Sequence, residues 1–253
     1  MYPVLFRLGS FVVTGYAALV GLGLIVGAVI ACLAAQRRGI NPARAVDASL
    51  AAALGGLIGG RALYAVAHWD YYRDNLNQAL RPWGGGVAWH GALVGGLLAA
   101  LVFCAVRRES ARVMLDVLTP GVALLAVCAW LGCLLNGCVY GLETFAGQGL
   151  LWRLSLELPD LYGIWLPRVA VQLLGAGWSV VVLVAVVIAR RCTRIEGLLF
   201  PLWLGLYAIG CLGLGFLRAD KTLSIGGWRA DQVADLVLTL AGVGLLTMGV
   251  LRE

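Results

Sequence analysis

Gly84-Gly85-Gly86-Val87-Ala88-Trp89-His90-Gly91-Ala92-Leu93-Val94-Gly95-Gly96 runs without a break into Leu97-Leu98-Ala99-Ala100-Leu101-Val102-Phe103-Cys104-Ala105-Val106. From Val87 onward the segment has the length, about 20 apolar residues, that an α-helix needs to cross the hydrocarbon of a bilayer. It also places one of only two histidines of the chain among small residues where that helix begins. An ionisable side chain at membrane depth is costly, so it points to a site with a partner. His90 is therefore the residue to explain.

The same length of apolar sequence recurs. Spans are expected near 11–34, 46–69, 87–106, 113–135, 169–189, 197–217 and 232–251, and nothing between them is long enough for a separate soluble domain. Hydrophobic residues make up 61% of the 253 residues and charged ones 13%, far from the balance of a soluble domain. The predicted fold is all-α: one polytopic domain, residues 1–253, of seven transmembrane helices, with a loop region folded on the periplasmic side.

The net charge of +6 is distributed as a topology signal and does not suggest nucleic acid. Arg37, Arg38 and Arg44 follow the first span, Arg107, Arg108 and Arg112 the third, Arg190, Arg191 and Arg194 the fifth, and Arg252 the seventh. The alternate loops mix their cations with Asp70, Asp74, Glu143, Glu157, Asp160, Asp220 and Asp231. Arginine on every second loop places those loops in the cytoplasm, so the N-terminus is expected outside and the C-terminus inside. The start, Met1 to Arg7, lacks the pattern of a cleaved signal peptide. The outward loops 136–168 and 218–231 are where a non-helical site can be built, because irregular backbone at membrane depth must be buried or line a wet cavity.

Several residues can carry chemistry. Arg61, after Gly59-Gly60, either snorkels to the interface or turns inward to a phosphate oxygen with its fork of donors. His68, beside Trp69 and Asp70, reads as interfacial. Asn136-Gly137 closes the fourth span as a helix stop and offers an amide to a headgroup, with Tyr140-Gly141 just beyond. Arg168 and Gln172 open the fifth span, Tyr207 lies midway in the sixth, and Arg218 marks its end. The seven cysteines match no zinc pattern. Cys133 and Cys138, five apart on a continuous helix, would point away from each other, so small-residue packing is the expected role. Most glycines read as close helix packing, and no metal or cofactor is expected.

These residues resemble a family. Tyr2-Pro3-Val4-Leu5-Phe6 with Tyr16, Gly59-Gly60-Arg61, Gly85 through Ala92 around His90, Asp116 with Pro120-Gly121, Gly132 through Gly141, Pro167-Arg168 with Gln172, Tyr207 and Arg218 look, in order across about residues 1–220, like prolipoprotein diacylglyceryl transferase. The resemblance implies a seven-span enzyme of the bacterial inner membrane. It would move a diacylglyceryl group from phosphatidylglycerol to the lipobox cysteine thiol at the signal peptide of a prolipoprotein and release glycerol phosphate. By the same resemblance His90 is the base or an orienting group, with Tyr16 as its catalytic companion. Arg61, Asn136, Gly137, Gly141, Arg168, Gln172, Tyr207 and Arg218 would bind substrate.

The chain departs from the family pattern at defined positions. Trp130 stands where the family has an arginine, Cys211 where it has a second, and Gly215 at the expected glutamate. Val169-Ala170-Val171-Gln172 keeps only the last residue of a histidine-proline-serine-glutamine run. Joint loss of a cation and its acid partner is what relaxation of an ion-pair network looks like, since either left alone in lipid is costly. Two functions follow. One is an active transferase whose phosphate contacts come from Arg61, Arg168 or Arg218. The other is a non-catalytic homologue serving as a lipid-binding or structural subunit of a larger membrane complex. A transporter is disfavoured by the absence of broken-helix pairs and of an inverted repeat.

Overall fold

The computed structural model describes residues 4–8, 11–81, 85–160, 162–192 and 195–251. Tyr2, Pro3, Gly84, Arg194 and Arg252, used above, lie outside them. The order of elements is β1 (Val4–Leu8), β2 (Phe11–Thr14), α1 (Gly15–Arg37), α2 (Pro42–Ala67), α3 (Trp69–Tyr72), α4 (Leu76–Ala79), α5 (Trp89–Arg107), α6 (Ala111–Asn136), α7 (Leu150–Arg153), β3 (Ser155–Pro159), β4 (Trp165–Val169), α8 (Val171–Cys192), α9 (Leu199–Gly215), β5 (Ser224–Ile225), β6 (Trp228–Arg229) and α10 (Ala230–Leu251). Six helices, α1, α2, α5, α6, α8 and α10, are long and apolar enough to cross a membrane, while α9 is apolar but has 17 residues, the short end of the spanning range. Exposed Ile25, Val29, Ile58, Leu98, Val102 and Leu240 line the long helices. Apolar faces of that extent belong in lipid, and the chain is a multi-pass membrane protein.

Two local expectations are corrected. The first span does not begin as helix at residue 11. Residues 11–14 pair antiparallel with β1, and α1 starts at Gly15, where the Thr14 hydroxyl accepts from the Ala17 amide at 3.1 Å, satisfying one of the donors a helix start leaves open. The second correction concerns Cys133 and Cys138, which form a disulfide with Cα atoms 4.9 Å apart. The helix does not continue past Asn136. Gly137 turns left-handed at φ 71°, and the Cys138 amide bonds back to the Cys133 carbonyl at 3.1 Å, so the second thiol swings back over the last turn.

The chain packs as two compact units, Ala28–Leu118 on the one hand and Met1–Gly27 with Thr119–Glu253 on the other. In the unit 28–118, α2 is started by Pro42 and by Asn41, whose side chain accepts from the Ala43 amide at 3.0 Å. Helices α2 and α5 lie so close that a Cβ on Gly59 or Gly95 would strike the facing backbone, and Gly56 faces the Ala92 carbonyl in the same way. Small residues at such a seam let backbones approach where lipid offers no hydrophobic drive. Behind it, Ala31, Ala35, Ala45, Ala48, Ala100, Cys104, Met114 and Val117 form a closed core, with the buried Asp116 carboxylate 3.6 Å from Arg38. In the other unit α9 is buried along most of its length, as expected for a helix that is apolar all round. Gly205 and Gly242 bring α9 against α10, and Gly175 makes room for the Trp130 indole.

Candidate functional site

The segment 136–143, the strands β3 and β4, the start of α8 and the residues following α9 are assembled around one another. Asn136 ends α6 half-buried. Gly137 packs under the Asp160 carbonyl, where a Cβ would come to 3.3 Å. Val139 is held at φ 55°, a conformation rare for a β-branched residue that costs on the order of 1–3 kcal/mol and persists only where surroundings dictate it. Here they do. The disulfide fixes Cys138, the Gln172 Nε2 donates to the Cys138 carbonyl at 2.8 Å, and Gly141 pairs with Arg218 while a Cβ on it would collide with the Val169 carbonyl.

Three arginines sit in this assembly. Arg168, on β4, is buried, 3.0 Å from Glu143 and 3.4 Å from Asp160, with its guanidinium over the Tyr140 ring at 5.0 Å. Its Nε and the Gln172 Oε1 are buried polar atoms without a hydrogen-bond partner among the described residues. The Asp160 carboxyl is held below the usual range by the amides of Ile164 and Tyr162 and by Arg168, against the opposing effect of burial. Tyr140 is pushed up by burial and by the Asp220 and Asp160 charges. Arg218 forks onto Asp220 through Nε and Nη2 at 2.9 and 2.7 Å, and its Nη1 meets Asp231 at 2.8 Å. Arg229 bonds the same two carboxylates. Burial alone would lower the Arg218 pKa, but the carboxylates around it raise it.

Deeper in the same unit, Tyr207 accepts from the Trp130 indole at 3.0 Å and stacks on Trp203 at 5.5 Å. Where Gly215 leaves space, Gln232 fills it. Trp130, Cys211 and Gly215, three of the positions that depart from the family pattern, thus sit in a packed arrangement that carries no arginine and includes the buried Asp235 close to Tyr207 and Cys211. Tyr16, in the first turn of α1, lies against Gly132 of α6. His90 and Arg61 belong to the other unit. His90 stands in the first turn of α5 with its ring 5.3 Å from that of Trp89. Arg61 is buried near the end of α2 and spends its donors on the carbonyls of Gln78, Ala79, Gly85 and Gly86. Neither disposition open to Arg61 from the sequence included these partners.

The structure therefore brings Gly137, Gly141, Arg168, Gln172 and Arg218 together, with Asn136 at their edge. Sequence reasoning missed Glu143, Asp160, Asp220, Arg229 and Asp231 as the groups that hold the arginines, and no spacing could have flagged them. Among the described residues no cluster of histidine, cysteine and carboxylate side chains is placed to hold a metal ion.

Comparison with known proteins agrees with the ordered matches in the sequence. The family model described as prolipoprotein diacylglyceryl transferase matches residues 3–248. Proteins named phosphatidylglycerol–prolipoprotein diacylglyceryl transferase are similar along nearly their whole lengths. That of Clostridioides difficile is 29% identical over 243 residues, covering 96% of this chain and 93% of its own. Those of Listeria monocytogenes serotype 4b and Clostridium tetani are 27% and 25% identical, the first over 96% of this chain and 88% of its own, the second over the full length of both. The chain belongs to the prolipoprotein diacylglyceryl transferase family.

Proposed function

We propose that the protein transfers a diacylglyceryl group from phosphatidylglycerol to the thiol of a lipobox cysteine in prolipoproteins. The observation that carries this reading is the family match across residues 3–248, joined to relatives of the same length that bear that name. The cysteine sulfur attacks the terminal sp3 carbon of the diacylglyceryl group. The bond from that carbon to the phosphate oxygen breaks, and glycerol phosphate leaves with the electron pair. The thiol, with a free pKa near 8.5, must lose its proton, and His90 is the base assigned to it. Tyr16, Asn136, Gly137 and Gly141 bind the headgroup, and Gln172 and Tyr207 shape its surroundings.

Charge develops on the phosphate, and a fixed cation there is worth most in a site that excludes water. Arg168 is the better candidate for that cation. Its Nε is unspent, whereas the fork of Arg218 is closed on Asp220 and Asp231. Arg218 then serves to hold the strand that pairs with Gly141. The protein acts in the bacterial cytoplasmic membrane with its N-terminus outside, as the arginines of alternate loops require. Expression in a bacterium depleted of its own transferase tests the reading. Restored lipidation of a reporter prolipoprotein is expected, and its absence despite normal membrane insertion contradicts the reading and leaves the non-catalytic subunit in its place.

A further inference from the structure

Arg61 is a buried cation that, among the described residues, no acid side chain meets within ion-pair distance. Nε donates to the Ala79 carbonyl at 2.8 Å, Nη2 to Gln78 at 2.6 Å, and Nη1 to Gly86 at 2.9 Å and also to Gly85. The guanidinium also faces the rings of Tyr72 at 5.2 Å and Tyr64 at 5.7 Å. Four of the five N–H groups an arginine owns are thus committed, and its charge is met by carbonyl dipoles and aromatic faces. The acceptors come from two places, the last residues of α4 and the glycines that lead into α5.

The neighbours of Arg61 on α2 grip the same glycines. The Gly60 carbonyl accepts from the Ala88 amide at 2.9 Å. The Tyr64 ring occupies the space into which a Cβ on Gly86 would project, and Gly86 itself sits at φ 79°. Residues 60, 61 and 64, one turn of α2, therefore fix residues 85, 86 and 88 by three independent contacts. Trp89 and His90 follow at once as the first turn of α5. The Ala92 amide donates to the Ala88 carbonyl at 2.9 Å, so a shift at Ala88 is carried into the first turn of α5 and to the imidazole of His90. A misplacement of about 1 Å costs roughly 10²-fold in rate when a reacting group depends on it.

We infer that Arg61 is a positioning residue that sets His90 by clamping Gly85 and Gly86, and is not a ligand of the lipid phosphate; this rests on the transferase reading for the role of His90. Lysine cannot substitute, because a compact ammonium on a shorter reach cannot span four carbonyls in a plane. The test uses the full-length protein in detergent with phosphatidylglycerol and a lipobox peptide. Arg61→Lys is expected to lower kcat about 10²-fold with KM for phosphatidylglycerol within about threefold of the unmutated value, and to speed exchange of the Ala88 amide. A KM raised about tenfold or more, with kcat and Ala88 exchange unchanged, overturns it. Should Arg61→Lys fail to insert, the unmutated protein decides through phenylglyoxal labelling read by mass spectrometry. Arg61 stays unlabelled with or without phosphatidylglycerol if it is spent on the loop. Labelling that phosphatidylglycerol suppresses marks a lipid ligand and overturns the proposal. Lack of product from the unmutated enzyme defeats the transferase reading, while Ala88 exchange and the labelling still judge the clamp.

Discussion

Arg61 and Arg168 are both buried, and the two units neutralise them by different means. Arg61 is held by backbone carbonyls and two tyrosine rings, Arg168 by Glu143, Asp160 and the face of Tyr140. Carbonyls cannot be protonated and do not compete as anions. They fasten a loop permanently and leave a cation little to offer a ligand. Carboxylates can be outbid by a phosphate whose second negative charge develops as the bond to carbon breaks, and can be titrated, and Arg168 keeps one buried donor in reserve. Under the proposed function, the same side chain serves as a fastener in one place and as a phosphate-binding group in the other.

The sharpest way to break this contrast is to remove Arg168. Under the proposed function, Arg168→Ala removes the cation that meets the phosphate and leaves Glu143 and Asp160 without their shared arginine. Loss of thioether formation by about 10²–10³, or roughly 2.7–4 kcal/mol of barrier, is expected in a gel-shift assay on a lipobox peptide. Unchanged rates would assign the phosphate to another cation. Next in size is the seam of α2 and α5. Gly59→Leu drives a side chain into the Gly91 carbonyl and Gly95, and a loss at or above the upper end of about 1–3 kcal/mol should lower the melting temperature. Gly21→Ala, with open space around the new methyl, should leave it unchanged.

A smaller effect is expected at the loop around Asn136. Cys133→Ala removes a cross-link that closes only a short loop, worth about 2 kcal/mol, and should lower the melting temperature in non-reducing buffer while transferase activity persists. A reducing agent should bring the unmutated protein to the same value. The least effect is expected from mild acid. Asp160 is lowered in the folded protein, so its contribution is present above the unfolded carboxylate value of about 3.9 and is lost only as pH falls through the lower folded value. Exchange of the Tyr162 and Ile164 amides, corrected for intrinsic rate, should stay flat from neutral pH to about 5 and rise below about 4. Loosening near neutrality would contradict the assignment.

What the sequence made legible follows from where each structure gets its hydrogen bonds. A helix in lipid satisfies its own backbone, so local hydropathy sufficed to place α2, α5, α6 and α8 within a few residues of the expected spans, with His90 in the first turn of α5. The sixth expected window, 197–217, holds α9, an apolar helix of 17 residues that ends at Gly215, after which Arg218 pairs with Asp220. Long-range partners left no such trace. Arg61 finds its acceptors 17 to 25 residues away on backbone atoms, which no residue type reveals. The disulfide was masked by treating Cys133 to Cys138 as one helix, when Gly137 ends it. The hairpin at residues 4–14 was hidden because Phe11-Val12-Val13 is as apolar as the helix it precedes. Trp130, Cys211 and Gly215 read as losses, and only packing reveals Gly175, Tyr207 and Gln232 as their complements.

The central claim is that this core, packed around Trp130, Cys211 and Gly215, still supports group transfer. The most direct measurement incubates the purified protein with phosphatidylglycerol and a synthetic lipobox peptide and reads the peptide by mass spectrometry. A mass increase of one diacylglyceryl group on the cysteine, with equimolar glycerol phosphate released, is the predicted result. An unmodified peptide in a preparation that is folded and binds phosphatidylglycerol would contradict it.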